Sequence, residues 1–196
     1  RELWQVHTGA SASRSPAIVD GVAYGGSADG HLYALDAATG EQRWKFRADS
    51  GVEITPTVED GVVYFPSEFG TLYALDAKSG AQLWTFDQQI APSATPIVTS
   101  GVLFAGADSG TYYALDAKTG EEHWHFETGG SISRSAAFAD GVIYTGSEDG
   151  NLYALDAANG TELWKFATGA DVVGTPSVSN GQVYAALPTG DGLFVL

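Results

Sequence analysis

The sequence predicts an all-β fold made of 40-residue repeats, and two observations support this prediction. Five tryptophans recur at intervals of 40 residues: Trp4, Trp44, Trp84, Trp124 and Trp164. Each repeat alternates short apolar runs with turns rich in Asp and Gly, and no segment keeps the apolar period of a helix. Four antiparallel strands in a repeat of this length are typical of one blade of a β-propeller.

The first complete repeat shows how the strands are assigned. Apolar and aromatic runs predict four strands, over residues 13–19, 22–27, 31–36 and 41–46. The turns between the first three strands contain Asp-Gly, which favours a tight hairpin. The last turn, at residues 36–40, reads Asp-Ala-Ala-Thr-Gly.

This last turn explains why Asp, Gly and Trp recur at fixed spacing. We expect Asp36 to accept hydrogen bonds from the backbone of its own turn, and Gly40 to adopt a positive φ. Trp44 then lies on the outermost strand and packs against the next blade, while the small Ala34 leaves room for its ring. The residues with these structural roles are the five tryptophans together with Asp36, Asp76, Asp116 and Asp156.

The same spacing resembles the tryptophan-docking motif of the PQQ-like, or quinoprotein-type, β-propeller repeat family. Its four copies run from Ala34 to Trp44, Ala74 to Trp84, Ala114 to Trp124 and Ala154 to Trp164. The family includes quinoprotein dehydrogenases, outer-membrane assembly lipoproteins and sensor regions of bacterial serine/threonine kinases. The resemblance covers essentially the whole chain.

The phase of the two chain ends predicts a closed five-bladed β-propeller of four-stranded antiparallel blades, forming a single domain over residues 1–196. Residues 1–7 are expected to complete the last blade as its outer strand, which would remove two exposed sheet edges. The blade repeats are residues 8–47, 48–87, 88–127, 128–167 and 168–196. Rings of this family are usually larger, so a part of a bigger ring is the alternative.

Composition excludes several classes of partner. The formal net charge of −15 argues against nucleic acid and against an anionic membrane surface. No apolar run approaches the ~20 residues that span a bilayer, so we expect no membrane insertion. The chain has no Cys, which removes disulfides and thiolate metal sites. We expect no cofactor and no metal.

Enzymatic function is disfavoured. The resemblance to quinoprotein dehydrogenases implies an adjacent Cys pair, a calcium site and a catalytic Asp. This chain has no Cys, and its repeated Asp residues are explained by turns. We therefore predict no catalytic residue, and a quinone-dependent dehydrogenase fragment is the least favoured alternative. His123 and His125 alternate on a predicted outer strand, but no third metal ligand accompanies them.

Departures from the repeat are the candidate partner-binding loops. Phe69 replaces the Asp at the tip of a hairpin, and an aromatic residue is not needed for such a turn. Gln88, Gln89 and Ile90 replace the usual connection into the third blade, and an insertion occupies residues 187–192. Both kinds of loop are predicted on the same face of a propeller. Ordinary loop drift is the alternative explanation.

The entrance of the predicted central channel offers a second candidate site. Arg14 and Arg134 occupy equivalent positions on the innermost strands. Two guanidinium groups there could hold a carboxylate or a phosphate. Glu53 could instead pair with Arg14 as part of an ordinary polar rim.

Three functional hypotheses follow. The leading one is a non-enzymatic binding module that presents loops to a protein or peptide partner. By resemblance it acts outside the cytoplasm, in the periplasm or extracellular space, as a sensor domain or an assembly scaffold. The second is binding of a small anion or small molecule at the channel mouth. The third is an engineered or trimmed propeller with no function of its own, suggested by the regular spacing and the absence of Met and Cys.

Overall fold

The computed structural model describes residues 3–12, 14–172, 174–186 and 193–195, and their regular secondary structure is entirely β-strand. The chain divides into two compact units, residues 1–88 and residues 89–196. The division falls one residue after the predicted end of the second blade. The described residues include no helix that could cross a lipid bilayer.

The first unit contains two four-stranded antiparallel sheets, β1–β4 and β5–β8, each in sequence order. The first sheet consists of β1 (Ala17–Val19), β2 (Val22–Ser27), β3 (His31–Asp36) and β4 (Gln42–Arg47). The second consists of β5 (Thr57–Glu59), β6 (Val62–Pro66), β7 (Thr71–Asp76) and β8 (Gln82–Asp87). Each sheet therefore matches one predicted blade.

The second unit contains two further four-stranded sheets and one of three strands, again antiparallel and in sequence order. The strands of the first are β9 (Ile97–Thr99), β10 (Val102–Gly106), β11 (Thr111–Asp116) and β12 (Glu122–Glu127). Those of the second are β13 (Ala137–Ala139), β14 (Val142–Gly146), β15 (Asn151–Asp156) and β16 (Glu162–Ala167). The three-stranded sheet consists of β17 (Ser177–Ser179), β18 (Gln182–Ala186) and β19 (Leu193–Val195).

The strand boundaries differ from the sequence prediction mainly at the first strand of each blade. In the first blade the predicted strand 13–19 is reduced to Ala17–Val19. Pro16 immediately precedes it and has no N–H to donate to a neighbouring strand. The other three strands of this blade lie within one residue of their predicted bounds.

Two local features fix the register of each four-stranded sheet. The hairpin between β1 and β2 turns at Asp20 and Gly21, whose φ angles of 49° and 73° fit a turn of type I′. A bulge between Ala34 and Leu35 leaves an extra residue in β4 and places Trp44 opposite Ala34. The three other four-stranded sheets have a bulge at the same position of the repeat.

The core of each unit lies between consecutive sheets. In the first unit, Tyr24 and Trp44 of the first blade belong to the same buried cluster as Phe65 and Leu75 of the second. In the second unit, the corresponding cluster includes Phe104 and Tyr112 of one blade and Ile132 and Ile143 of the next. A smaller cluster joins Leu152 to Val172 and Val183. Consecutive blades within a unit thus pack face to face.

The all-β class and the antiparallel four-stranded blades are confirmed. No strand is assigned to residues 3–8, and the last sheet has three strands in the part of the chain that is described. The count of five blades in a closed ring, and the completion of the last blade by residues 1–7, therefore stay predictions.

Candidate partner-binding site

Tryptophan docking holds one blade to the next within each unit. The indole N–H of Trp44 donates to the carbonyl oxygen of Ala77 at 2.9 Å, although the two residues are 33 positions apart. Gly80 lies beneath the ring, where an added Cβ would be only 2.7 Å from Cδ2 of Trp44. Equivalent hydrogen bonds of 3.1 Å run from Trp4 to Ala37 and from Trp124 to Ala157.

The remaining two tryptophans differ in exposure. Trp84 is 9% exposed and packs on Tyr64, with ring centroids 5.9 Å apart. Trp164 packs in the same way on Tyr144 but is 36% exposed. Within the described part of the chain, no carbonyl accepts a hydrogen bond from the Trp164 indole.

The repeated Asp residues hold the turns on which the indoles dock. Oδ1 of Asp36 accepts hydrogen bonds from the backbone N–H groups of Ala38 and Thr39, both at 3.0 Å. Arg43 donates to its Oδ2 at 2.8 Å. The Arg43 hydrogen bond, followed by those from Thr39 and Ala38, lowers the pKa of Asp36 to about 2. Backbone N–H groups of their own turns also donate to Asp76, Asp116 and Asp156.

A second carboxylate, at the hairpin tip, was not identified as structural from the sequence. Oδ2 of Asp29 accepts hydrogen bonds from the Tyr33 hydroxyl at 2.6 Å and from the backbone N–H of Gly9 at 2.9 Å. In the fourth blade, Asp149 accepts from the Tyr153 hydroxyl at 2.6 Å. The recurrence of Asp with Tyr four residues later was the available sequence signal.

The second blade keeps a carboxylate in this region but takes it from another residue. Phe69 stands at the position of the tip Asp, whereas Asp49 stands where the first, fourth and fifth blades have Gly. Oδ2 of Asp49 accepts a hydrogen bond from Thr71 at 2.7 Å, and its backbone N–H donates to the Tyr73 hydroxyl at 3.1 Å. In the second blade the facing loop therefore supplies the carboxylate, and the residue at the hairpin tip does not have to accept these hydrogen bonds.

Phe69 is an apolar side chain on a fixed backbone. It is 73% exposed, close to the highest value among the large apolar residues described. Its backbone N–H donates to the Ser50 hydroxyl at 2.9 Å, and the N–H of the preceding Glu68 donates to the carbonyl of Gly51 at 2.9 Å. An exposed aromatic ring on a hydrogen-bonded tip can enter a partner's pocket without first ordering the loop.

The other predicted loop residues are placed differently from one another. Gln88 and Gln89 are exposed, and Gln89 has a positive φ of 53°. Ile90 departs from the expectation: it is 0% exposed and forms a β-bridge with Ala107. An apolar side chain of this size is more stable in the core of its own unit, so Ile90 is not available to a partner. The insertion at 187–192 lies outside the described residues.

The candidate channel-mouth residues lie in two different units. Arg14 is exposed and Glu53 half-buried in the first unit, and no salt bridge links them among the described residues. Arg134 is exposed and lies in the second unit. An anion site that uses both Arg residues stays a prediction.

No group of three or more His, Cys, Asp or Glu residues is arranged to hold a metal in the part of the chain that the structure describes. His125 of β12 lies 2.7 Å from Glu122 through Nδ1 and Oε1, on an exposed strand. This pairing gives His125 a partner within its own strand.

The docked tryptophans and antiparallel sheets define a repeat protein of the β-propeller class. The chain belongs to the family described as outer membrane protein assembly factor BamB, whose sequence profile matches residues 1–131 and 108–195. The resemblance to PQQ-like propeller repeats is thereby confirmed. No curated protein matches the chain.

Solved structures share this fold. BamB from Moraxella catarrhalis has a TM-score of 0.78 at 24% identity, over 93% of this chain and 63% of that one. The computationally designed Ika8 protein has a TM-score of 0.81 at 18% identity, over 92% and 56% of the two chains. Quinohemoprotein alcohol dehydrogenase from Comamonas testosteroni has a TM-score of 0.77 at 19% identity, over 95% and 41%. The chain thus spans less than two thirds of each of these three proteins.

Proposed function

We propose that this chain is a non-enzymatic binding module that acts outside the cytoplasm as a scaffold for protein assembly. Its family is described as an assembly factor for outer membrane proteins, and this description supports a protein partner and an extracytoplasmic location. The fold shared with BamB from Moraxella catarrhalis is compatible with that role. A more specific form of this proposal is that the chain is a sensor domain whose protein partner is a peptide.

The observation that carries the proposal is the exposed ring of Phe69. At this position a tip Asp would bind the facing loop and the nearby Tyr, as Asp29 does in the first blade. In the second blade Asp49 supplies the carboxylate, so Phe69 has no such role in the turn. Aromatic side chains dominate the energetics of protein interfaces, because they bury a large area at small entropic cost.

A photocrosslinking amino acid at position 69 tests this proposal in the cell envelope of the host. We expect a discrete crosslinked protein, because Phe69 projects into the interface. The matched control carries the same group at position 149, the tip of the fourth blade, where Asp149 is hydrogen-bonded to its own chain. Equal crosslinking from both positions would count against the proposal.

The crosslinked protein then serves as the defined partner for a binding measurement. We expect Phe69→Asp, which restores the residue of the repeat, to weaken its binding by tenfold or more, in the range of a small hot spot. Glu59→Ala, at an exposed strand end of the same blade, is the control and should bind normally. Unchanged affinity of the Phe69 variant would remove this residue from the site.

A further inference from the structure

A cavity of about 170 Å³ lies against the first blade. One wall is formed by strands β2 and β3, through Gly25 and Tyr33, and the other by the segment that carries Trp4, Val6 and Ala12. All of these residues belong to the first unit. The lining is mainly apolar, so the space is suited to an apolar group.

In the second blade an aromatic ring occupies the equivalent space, whereas the third, fourth and fifth blades have Ala105, Thr145 and Ala185 at this position. The second blade's residue at the position of Gly25 is Phe65, which is 0% exposed and stacks on Tyr73 with ring centroids 5.2 Å apart and an interplanar angle of 11°. Phe46, the counterpart of Val6, packs edge-on against Phe65 at 6.3 Å. The first blade has the same tyrosine, as Tyr33, but Gly25 stands where the second blade has the stacking ring.

Further side chains around the cavity are also smaller than their counterparts. Ala12 stands at the position of Val52, which is 0% exposed in the core of the first unit. No compensating large residue lines the cavity on the described part of the chain. Compared with the second blade, the first therefore lacks the volume of a phenyl ring beside Tyr33.

One wall of the cavity carries a positive charge. Arg14 lines it and is exposed, whereas the equivalent Ile54 of the second blade is 3% exposed and apolar. Among the described residues, Arg14 makes no salt bridge and no side-chain hydrogen bond. A guanidinium group in this state can bind a carboxylate through two parallel hydrogen bonds.

We propose that this cavity binds a small aromatic carboxylate. The ring of the ligand occupies the space that Phe65 fills in the second blade and stacks on Tyr33, while its carboxylate binds Arg14. This proposal goes beyond the assembly role: it does not involve Phe69 and needs no second Arg at a channel mouth.

Titration with sodium benzoate, followed by calorimetry or by amide NMR shifts, tests the proposal. We expect saturable binding of benzoate, with acetate and toluene each binding at least about tenfold more weakly, because each lacks one half of the recognised group. Absence of saturable benzoate binding at millimolar concentration would overturn the proposal. Acetate binding as tightly as benzoate would refute the part played by the cavity.

Two variants convert the site to the residues of the second blade. Gly25→Phe should abolish benzoate binding and raise the melting temperature, since an added Cβ at Gly25 meets nothing nearer than Pro16 at 3.9 Å. Ala12→Val narrows the same space and serves if the first variant does not fold. Benzoate binding that survives in a folded Gly25→Phe variant would contradict the assigned location.

Arg14→Ile tests the charge. We expect it to weaken benzoate about tenfold or more while leaving toluene unaffected. Arg134→Ile, the same change at the equivalent position of the fourth blade, is the matched control and should leave benzoate binding unchanged. If both Arg variants weaken benzoate equally, the ligand is held at the channel mouth instead and the proposal fails.

Discussion

At the scale of single residues, docking of an indole on a glycine turn joins consecutive blades within each unit. The contact combines a buried ring, a hydrogen bond to a carbonyl and a glycine that leaves room for the ring. For Trp44 all three are present, through Ala77 and Gly80. Loss of such a side chain removes both apolar burial and a hydrogen bond, and it leaves a cavity.

We predict that Trp44→Ala lowers the free energy of unfolding by about 3–5 kcal/mol. Urea denaturation followed by circular dichroism measures this change. Trp164→Ala is the matched control, and it should cost clearly less because Trp164 is 36% exposed, compared with 9% for Trp44. Equal losses at the two positions would show that docking is not what stabilises the blades.

Acid sensitivity at the first hairpin tip provides a second prediction. Partial burial raises the pKa of Asp29, but the hydrogen bonds from Tyr33, Gly9 and His31 outweigh this effect and lower the pKa to about 2. An Asp in an unfolded chain titrates near 3.9. Asp29 therefore contributes stability above about pH 4, and this contribution is lost as the pH falls towards 2.

We expect Asp29→Asn to be less stable than the unmodified chain at pH 7, with the difference shrinking between about pH 4 and pH 2. Urea denaturation at a series of pH values measures it. Tyr33→Phe removes one of these hydrogen bonds. The stability that this variant loses should also become smaller as the pH falls from about 4 to about 2. A difference independent of pH would show that Asp29 is not stabilised in its ionised form.

At the scale of the element, the loop between β4 and β5 and the hairpin between β6 and β7 act as a pair. In the first blade, the tip Asp29 bonds to Gly9 of the facing loop. In the second blade, Asp49 of the facing loop bonds to Thr71 of the hairpin. In both blades a carboxylate thus joins the loop to the hairpin, but in the second blade the loop supplies it and the hairpin tip carries Phe69.

If the loop and the hairpin tip can each supply the carboxylate, a double-mutant cycle at positions 49 and 69 should show coupling. Asp49→Gly alone should lower the free energy of unfolding by about 1 kcal/mol, because Thr71 loses its acceptor. Adding Phe69→Asp to that variant should restore most of the loss, since the pair then matches the first blade. Thermal or urea denaturation of the four proteins measures the coupling. Strictly additive effects would mean that the two positions are independent.

The sequence predicted these elements unevenly. The Asp36 turn was predicted because its hydrogen bonds reach only two or three residues along the chain. The bond from Gly9 to Asp29 spans 20 residues and depends on how a loop lies over a hairpin, which no short motif specifies. Ile90 was predicted to lie in a partner-binding loop because it departs from the repeat, but its apolar side chain is buried.

At the scale of the whole molecule, the acidic surface acts against compactness. The formal net charge is −15, and mutual repulsion of this kind destabilises a folded chain. Salt at about 0.1 M reduces the range of this repulsion to about 10 Å. Net charge does not predict the number of blades. That number depends on the small angle between consecutive sheets, which no single residue type determines.

We therefore predict that the melting temperature rises when sodium chloride is increased from about 0.01 M to about 0.15 M, since screening weakens the repulsion between carboxylates. Differential scanning calorimetry measures the shift. Potassium chloride at the same ionic strength is the control and should give the same rise. A fall in melting temperature with salt would mean that attractive ion pairs dominate.

The docking of Trp4, Trp44 and Trp124 on the turns that follow them has a consequence for how such proteins change in evolution. Because the joint is made by two short stretches that the four complete repeats carry, a gene that gains or loses one 40-residue segment preserves the chemistry of its remaining joints. Unequal recombination between neighbouring segments can therefore alter the size of the array in a single event. New binding surfaces can then arise by point substitution in whichever copy is duplicated.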